Sequence, residues 1–227
     1  KNSKKKVTNI SVKKPKKKVP RYSDFVNKST KTDTGLFSVH ETKDKFYYEV
    51  PNQLLGKELL LVTRLKDIPA GLGGGYVNAG TKINSQVVVW EKFRNKLLLK
   101  VRSFKATAAD SLPIYKSVKS NNLEPIIYAF DATIQNTDST ATLIDVTKFL
   151  SSDVKAITGL PSSLRKSYKV KRLDASRSFI NSIKSYPKNI EVVQDFTFDA
   201  DAPPSNKNTN TISIRVNQSM ILLPEKP

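Results

Sequence analysis

From residue 34 onward, the sequence consists of short runs of β-branched and aromatic residues separated by turn-forming residues. Runs of this kind, bounded by Gly, Pro, Asn, Asp and Ser, are typical of antiparallel strands. They predict an α+β fold that is rich in antiparallel β-sheet, built from hairpins and a meander, with a few short helices. No apolar run approaches the roughly 20 residues that a membrane-spanning helix needs.

Two hairpins are predicted in the first half of the chain, because pairs of β-prone runs flank short polar turns. Between the hairpins, Pro51 and Gly56 bracket one helical turn, with the proline near its start and the glycine at its end. This turn leads into a further strand. The predicted elements are the hairpins 35–40 with 45–50 and 85–91 with 96–102, and the strand 58–65.

The second half of the chain contains longer β-prone runs and one ambiguous segment. Residues 125–130 form an almost continuous apolar run, as expected of a central strand covered on both faces, and residues 141–146 are its predicted pairing partner. Residues 176–186 have apolar positions at helical spacing, although their β-branched content leaves a strand interpretation open. Residues 190–198 and 211–223 predict two long strands.

Charge and apolar content divide the chain into a flexible lysine-rich arm over residues 1–32, an N-terminal β-hairpin domain over 33–105 and a second α+β domain over 106–227. The arm has too few large apolar side chains to offset the entropy of ordering. The first part of the arm also carries almost half of the net positive charge. The formal net charge is +19, and nine lysines lie within residues 1–18, so the remainder carries 30 basic and 20 acidic residues, or +10.

A lysine block of this kind can bind phosphate or lipopolysaccharide without sequence specificity and with strong salt dependence. Such blocks are, however, most often solvated tails. The residues of this possible anion-binding arm are Lys4, Lys5, Lys6, Lys13, Lys14, Lys16, Lys17 and Lys18.

The rarest residue types exclude several classes of chemistry. The chain has no cysteine, which excludes disulfides, thiolate metal sites and thiol catalysis, and its one histidine is His40. The segment that begins His40-Glu41 resembles the start of a His-Glu-x-x-His zinc motif, but Asp44 stands where the second histidine is required. We therefore expect a satisfied or exposed hairpin histidine without catalytic partners. The chain as it stands is predicted not to be an enzyme and to hold no catalytic, cofactor or metal-binding residue.

A glycine-rich loop could cradle an anion with consecutive backbone N–H groups. It fails the dinucleotide template because Tyr76 occupies the last glycine position, and no Gly-Lys-Ser/Thr follows for a phosphate loop. A mobile connection is the simplest interpretation, and contact with a partner is the alternative, since exposed loops often carry recognition. The residues of this possible partner-contact loop are Gly71, Gly73, Gly74, Gly75 and Tyr76.

Two further patterns have structural explanations that are at least as good as functional ones. Asp195, Asp199 and Asp201 could supply oxygen ligands to calcium, but the glycine and ligand spacing of an EF-hand loop are absent, and solvent-exposed acids are the simpler interpretation. Aromatic and basic residues interleave in three segments, none of which matches the RNA-recognition consensus. These segments are residues 46–48, 90–94 and 168–172.

Several short motifs occur in a fixed order from residue 34 to the end. They include Thr-Gly-Leu-Phe-Ser-Val-His at 34–40, Phe-Tyr-Tyr-Glu-Val-Pro at 46–51, and the segments 54–61, 88–91, 144–147, 174–180 and 186–192. In this order the chain resembles the N-terminal region of a bacterial family of secreted zinc-dependent metallopeptidases, in which domains of unknown function precede the catalytic domain. The closing segment, residues 219–227, resembles the strand and linker that lead into the peptidase.

The resemblance implies a noncatalytic accessory region of an exported protein, which is periplasmic, cell-surface or extracellular. It implies that the second domain continues into a catalytic region, that zinc belongs only to that downstream peptidase domain, and that this chain contacts the peptidase, its substrate or a protein partner. The family's catalytic ligands match no position here. The alternative function is a basic anion-binding module that acts on nucleic acid or a lipopolysaccharide surface.

Overall fold

The computed structural model describes residues 20–105 and 108–225 and contains two antiparallel sheets with a few short helices, which confirms the predicted fold class. The strands are β1 Lys31–Asp33, β2 Ser38–Glu41, β3 Phe46–Pro51, β4 Glu58–Asp67, β5 Lys82–Phe93, β6 Lys96–Val101, β7 Ile126–Asp131, β8 Ile134–Gln135, β9 Ala141–Asp145, β10 Val170–Leu173, β11 Phe179–Ser185, β12 Asn189–Ala200 and β13 Thr211–Leu222. The α-helices are α1 Tyr115–Ser120, α2 Thr147–Ser151 and α3 Ser162–Ser167.

The strands form a five-stranded sheet in the order β1-β2-β3-β9-β8 and an eight-stranded sheet in the order β10-β12-β13-β4-β5-β6-β7. Strand β11 also belongs to the larger sheet and pairs with the first part of β12, while β10 pairs with its last part. Strand β4 lies in the interior of this sheet, with β13 on one side and β5 on the other. The larger sheet is therefore assembled from segments that are far apart in sequence.

The main core joins the two sheets. Phe37 and Tyr48 come from the smaller sheet and its approach, and Trp90, Leu99 and Phe130 come from the larger sheet. The Trp90 ring centroid lies 6.2 Å from that of Phe37 and 5.6 Å from that of Phe130. Burial of large aromatic side chains is a dominant favourable contribution to folding, so these ring contacts help to hold the two sheets together.

A second core covers the other end of the larger sheet. It contains Phe196 and Phe198 of β12 and Ile214 of β13, all nearly inaccessible to solvent, together with Leu72 from the glycine-rich loop. Inward residues alternate along both strands, as period-2 burial requires.

Two buried glutamine side chains interrupt the apolar pattern between the two cores. Gln194 and Gln218 are 0% and 3% exposed, and the Gln218 amide donates to the Gln194 side-chain oxygen. Gln194 in turn donates to the Leu150 carbonyl of α2, and Gln218 donates to the Ile157 carbonyl at 3.2 Å. The pair thus ties the sheet to the segment that covers it and satisfies two buried carbonyl groups.

Several predicted elements are confirmed. The two hairpins are β2–β3 and β5–β6, the two long strands are β12 and β13 paired along eleven positions, and a 3-10 turn spans Asn52–Leu54. The ambiguous segment 176–186 is mainly strand, since β11 follows a 3-10 turn over Ala175–Arg177. Its β-branched residues and its pairing with β12 outweigh the helical spacing.

The prediction for residues 125–130 is wrong in two respects. Strand β7 lies at the end of the larger sheet, where β6 is its only partner among the described strands, and it is not a central strand. Its predicted partner, β9, pairs with β3 and β8 in the smaller sheet instead. After β7 the chain crosses to the smaller sheet. This crossing depends on contacts between distant segments, which the local apolar pattern does not encode.

Both predicted domains contribute strands to each of the two sheets. Strands β2 and β3 precede residue 105 and lie in one sheet with β8 and β9, while β4 pairs with β13 and β6 pairs with β7, both of which follow it. Residues 20–32, assigned above to the arm, contain a 3-10 turn at Tyr22–Asp24 and most of β1. This segment packs on the smaller sheet, where the Phe25 and Tyr47 ring centroids are 5.6 Å apart. The lysines of the anion-binding arm lie outside the described residues.

Candidate functional site

His40 lies in a polar cluster on the smaller sheet. It is 3% exposed, its Nδ1 is 2.9 Å from the Thr32 hydroxyl, and its Nε2 is 2.9 Å from Glu49 Oε2. The same Glu49 oxygen accepts a 2.6 Å bond from the Tyr22 hydroxyl, while Oε1 accepts a 2.8 Å bond from the Asn136 amide. In this cluster, side chains from four segments of the chain meet at the Glu49 carboxylate.

This arrangement matches the expected satisfied histidine, although its partners were not apparent from the sequence. Burial and the neighbouring Glu49 carboxylate raise the pKa of the Tyr22 phenol, which keeps it protonated as a hydrogen-bond donor. Each member of the cluster binds another member, as buried polar groups require. We therefore assign the cluster a structural role: it holds the segment that contains Tyr22 against the sheet.

Replacing Glu49 with glutamine is expected to lower the free energy of unfolding by about 1–3 kcal/mol. An amide nitrogen in place of Oε2 leaves the Tyr22 hydroxyl without its acceptor, and one in place of Oε1 removes the nearer of the two acceptors of the Asn136 amide. The measurement is urea unfolding followed by circular dichroism. Glu41→Gln, on exposed Glu41 with its partner Lys31, is the matched control and should change stability by less than about 0.5 kcal/mol. Equal losses in both variants would contradict the assigned role.

The three acids that might have bound calcium are each paired with a cation. Asp195 accepts two bonds from the Arg215 guanidinium, at 2.6 and 2.9 Å, which holds the pKa of the Asp195 carboxyl below its usual value. Asp199 pairs with Arg172 and Arg177, and Asp201 with Lys171. Within the described ranges, no group of three or more His, Asp or Glu side chains is arranged to hold a metal ion.

The glycine-rich loop is anchored to the larger sheet's second core. Leu72 is 1% exposed, and the Tyr168 hydroxyl accepts a 2.6 Å bond from the Gly73 N–H and lies 3.3 Å from the Gly71 carbonyl, to which it donates. Gly73 has a positive φ of 64°, and a Cβ there would lie 2.4 Å from a Val77 methyl group, so this position requires glycine. Tyr76 is 93% exposed and remains available to a partner.

The three aromatic and basic segments contribute mainly to packing. Tyr48 and Trp90 are buried in the main core, and the Tyr168 hydroxyl holds the glycine-rich loop. Phe93, at the hairpin tip, is exposed beside Arg94, whose guanidinium carbon lies 5.3 Å from the Phe93 ring centroid. These rings therefore do not form one shared stacking platform.

Exposed apolar side chains are concentrated between β6 and β7. Among the described residues, nine large apolar side chains are exposed, and five of them lie within residues 104–126. We call these five the apolar surface. Its members are Phe104 (58% exposed), Leu112 (50%), Ile114 (59%), Leu123 (86%) and Ile126 (57%).

The base of this segment is fixed by polar contacts. Arg102 donates a 2.7 Å bond to Glu124 and lies 3.2 Å from Glu58, and the Ser103 hydroxyl donates a 2.8 Å bond to Asn122. Lys100, only 13% exposed in its side chain, pairs with Glu124 as well. The two ends of the segment are thus held together while its apolar side chains face solvent. Sequence reasoning missed this surface because scattered apolar residues in a polar loop have no periodicity.

No helix in the described part of the chain is long and apolar enough to cross a membrane.

Comparison with known proteins gives two matches, both to domains of unknown function. The model of DUF5118 matches residues 19–68, and the model of DUF5117 matches residues 80–227. No curated protein and no solved structure matched the chain. The first matched region contributes β4 to the interior of a sheet whose other strands come from the second, so the two regions share one framework. Since one of these models covers well over half of the sequence, the chain belongs to the DUF5117 family.

Proposed function

We propose that this chain is a noncatalytic accessory region of an exported zinc-dependent metallopeptidase and that it acts through protein contacts. The observation that supports contact with a protein is the apolar surface, which places five exposed large side chains within 23 residues. Contiguous exposed apolar patches mark interaction sites, and two members of the apolar surface, Phe104 and Leu123, line one shared groove. That the parent protein is a peptidase is proposed from the order of the sequence motifs, which resembles that of the metallopeptidase family. Export is proposed from the same resemblance.

The proposed partner is the peptidase region encoded after Pro227, and zinc is assigned to that region alone. Leu123 and Ile114 would become buried on contact, and the contacts at the base of the segment limit the entropy lost when it docks. Tyr76, on the glycine-rich loop, is a second exposed side chain available for the same partner or for its substrate.

The test is binding between this chain and the separately produced region that follows residue 227, measured by calorimetry. We expect Ile114→Ser combined with Leu123→Ser to weaken binding at least about tenfold, since each removes an apolar anchor. Phe93→Ser, which removes an exposed aromatic ring from the hairpin tip, is the matched control and should leave the affinity unchanged.

Three results would overturn the proposal. One is a coding sequence beyond Pro227 that lacks a His-Glu-x-x-His motif. Another is equal binding by the double variant and the wild type. The third concerns the alternative function, a basic anion-binding module, which the net charge of +19 favours. Titration of a labelled duplex and of lipopolysaccharide at two salt concentrations decides it: tight binding that survives removal of residues 1–18 would make anion binding the main function.

A further inference from the structure

Strand β7 has the sequence of an interior strand but lies at the edge of the larger sheet. Its residues Ile-Ile-Tyr-Ala-Phe-Asp include a single charge, at the last position. In the described part of the chain, β7 pairs with β6 and with no other strand, and its first residue, Ile126, is 57% exposed. An edge strand that has no proline or charged residue to block pairing is a template for another extended chain. The larger sheet therefore ends at a strand whose sequence allows a further strand to pair with it.

Backbone geometry identifies which groups of β7 face the open edge. The Ala132 N–H donates a 2.9 Å bond to the Asn95 carbonyl, and hydrogen-bonded pairs alternate along an antiparallel ladder. Phe130, opposite Leu97, therefore bonds to β6, whereas Ala129 and Asp131 direct their N–H and C=O groups away from it. These groups form a row that can bond to another extended chain.

The opposite edge of the same sheet shows how an edge is protected. There β10 carries Lys171 and Arg172 at its centre, and both are exposed and paired with acids of β12 and the residue that follows it. Charged residues at an edge strand prevent pairing with another chain. Strand β7 has no such residue before Asp131. The two edges therefore differ in the feature that decides whether a strand can be added.

A groove of about 270 Å³ runs beside this open edge. Aromatic and apolar side chains from both sheets line it, and two of its lining residues, Asp131 and Asp145, are acids, while none is basic. Lys96 and Lys45 pair with these acids from outside the groove. The main apolar lining consists of Phe25, Tyr47, Tyr128, Ile134 and Leu143. Both oxygens of Asp145 are already bonded, to Lys45 and to the Thr147 N–H, whereas the Asp131 side chain is 83% exposed and pairs with Lys96 through one oxygen. The groove is therefore complementary to a segment that has apolar side chains and a basic side chain near Asp131.

We propose that the open edge of β7 binds an extended, basic segment of a partner polypeptide as an additional strand. Main-chain hydrogen bonds to Ala129 and Asp131 supply affinity, and alternate side chains of the added strand enter the groove, as in other cases of strand addition. A basic side chain of the segment lies near the exposed carboxylate of Asp131. The inference rests on the proposed protein-binding function and names the chemical class of the partner.

The test uses a fluorescein-labelled probe peptide, Lys-Val-Thr-Val-Lys-Tyr-Thr-Val-Lys, whose binding to the full chain is followed by fluorescence anisotropy. Ala129→Pro removes an N–H from the open edge without removing a bond to β6, because proline is tolerated at an edge position whose N–H faces solvent. We expect it to weaken binding at least about tenfold. Ala129→Thr keeps the N–H and is the matched control, with affinity unchanged.

A change in the peptide gives a result that does not depend on folding of the proline variant. N-methylation of alternate backbone nitrogens on one edge of the probe should abolish binding to the wild-type chain, while methylation of the other set should not, because only one edge of an added strand faces β7. Equal effects of the two methylated sets would overturn the proposal, as would no binding by the unmodified probe.

Other occupants of the edge give distinguishable results. A concentration-dependent dimer of the full chain that Ala129→Pro dissolves would assign the edge to a second copy and overturn the partner assignment. Removal of residues 1–19 that raises probe affinity about tenfold would assign it to this chain's own N-terminal segment. If Ala129→Pro is without effect but Ile114→Ser with Leu123→Ser still weakens binding to the peptidase region, this inference fails and the proposed function stands. If Ala129→Pro weakens probe binding but the double variant binds the peptidase region as the wild type does, the edge site stands and the proposed function fails.

Discussion

Replacement of Trp90 with alanine is expected to lower the free energy of unfolding by about 3–5 kcal/mol, the usual cost of deleting a large buried aromatic side chain. Trp90 is 1% exposed and contacts Phe37 and Phe130, so its loss opens a cavity where the two sheets meet. Its backbone carbonyl also accepts a 2.9 Å bond from Gly56, which keeps the β5 backbone in place and prevents easy collapse of the cavity. Urea unfolding monitored by far-ultraviolet circular dichroism measures the change.

Trp90→Phe separates the ring's packing from its N–H group. The indole Nε1 is buried and has no hydrogen-bond partner in the described residues, a condition that costs about 1–3 kcal/mol. Phenylalanine removes that donor and keeps an aromatic ring in the cluster, so we expect its cost to be less than half that of alanine. Equal destabilisation by the two variants would contradict this expectation.

Gln194→Leu should produce the second large effect, a loss of about 2–4 kcal/mol, because it leaves buried polar groups without partners. The Leu150 carbonyl loses its donor, and the Gln218 amide loses one of its two acceptors. Gln53→Leu, at an exposed position, is the matched control and should change stability by less than about 0.5 kcal/mol. The readout is the midpoint of urea unfolding with an unchanged slope.

A double-mutant cycle with Gln218→Leu tests whether the amides act as a unit. Since each single variant already breaks the bond between Gln194 and Gln218, the double variant should cost less than the sum of the singles. Additive losses would mean that the two amides contribute independently through their backbone carbonyls.

The alternation of apolar residues along β12 and β13 was visible in the sequence because each strand presents one face to the cores. Gln194 occupies an inward position of that pattern, and nothing local distinguishes it from an outward glutamine. The hairpins were equally predictable, since both strands and their turn are contiguous. Contiguity explains most of what could be inferred about the fold.

The polar cluster was not predictable for the opposite reason. Tyr22, His40, Glu49 and Asn136 belong to separate segments that only the folded sheet brings together. The edge position of β7 also depends on long-range pairing, so its apolar sequence indicated a neighbour that the described chain does not supply. In both cases the deciding contacts join residues far apart in the sequence.

The position of β13 determines when the larger sheet can close during synthesis. Strand β4 leaves the ribosome well before one of its two neighbours, β13, which ends at Leu222. At typical elongation rates of about 5–20 residues per second, β4 waits on the order of 10 s with one side unpaired. Until then the β4 strand, whose residues include Leu59, Leu61 and Leu65, is open to pairing with other chains. The interval before β13 emerges therefore leaves an apolar strand open to aggregation, which predicts a dependence on chaperones that bind nascent chains.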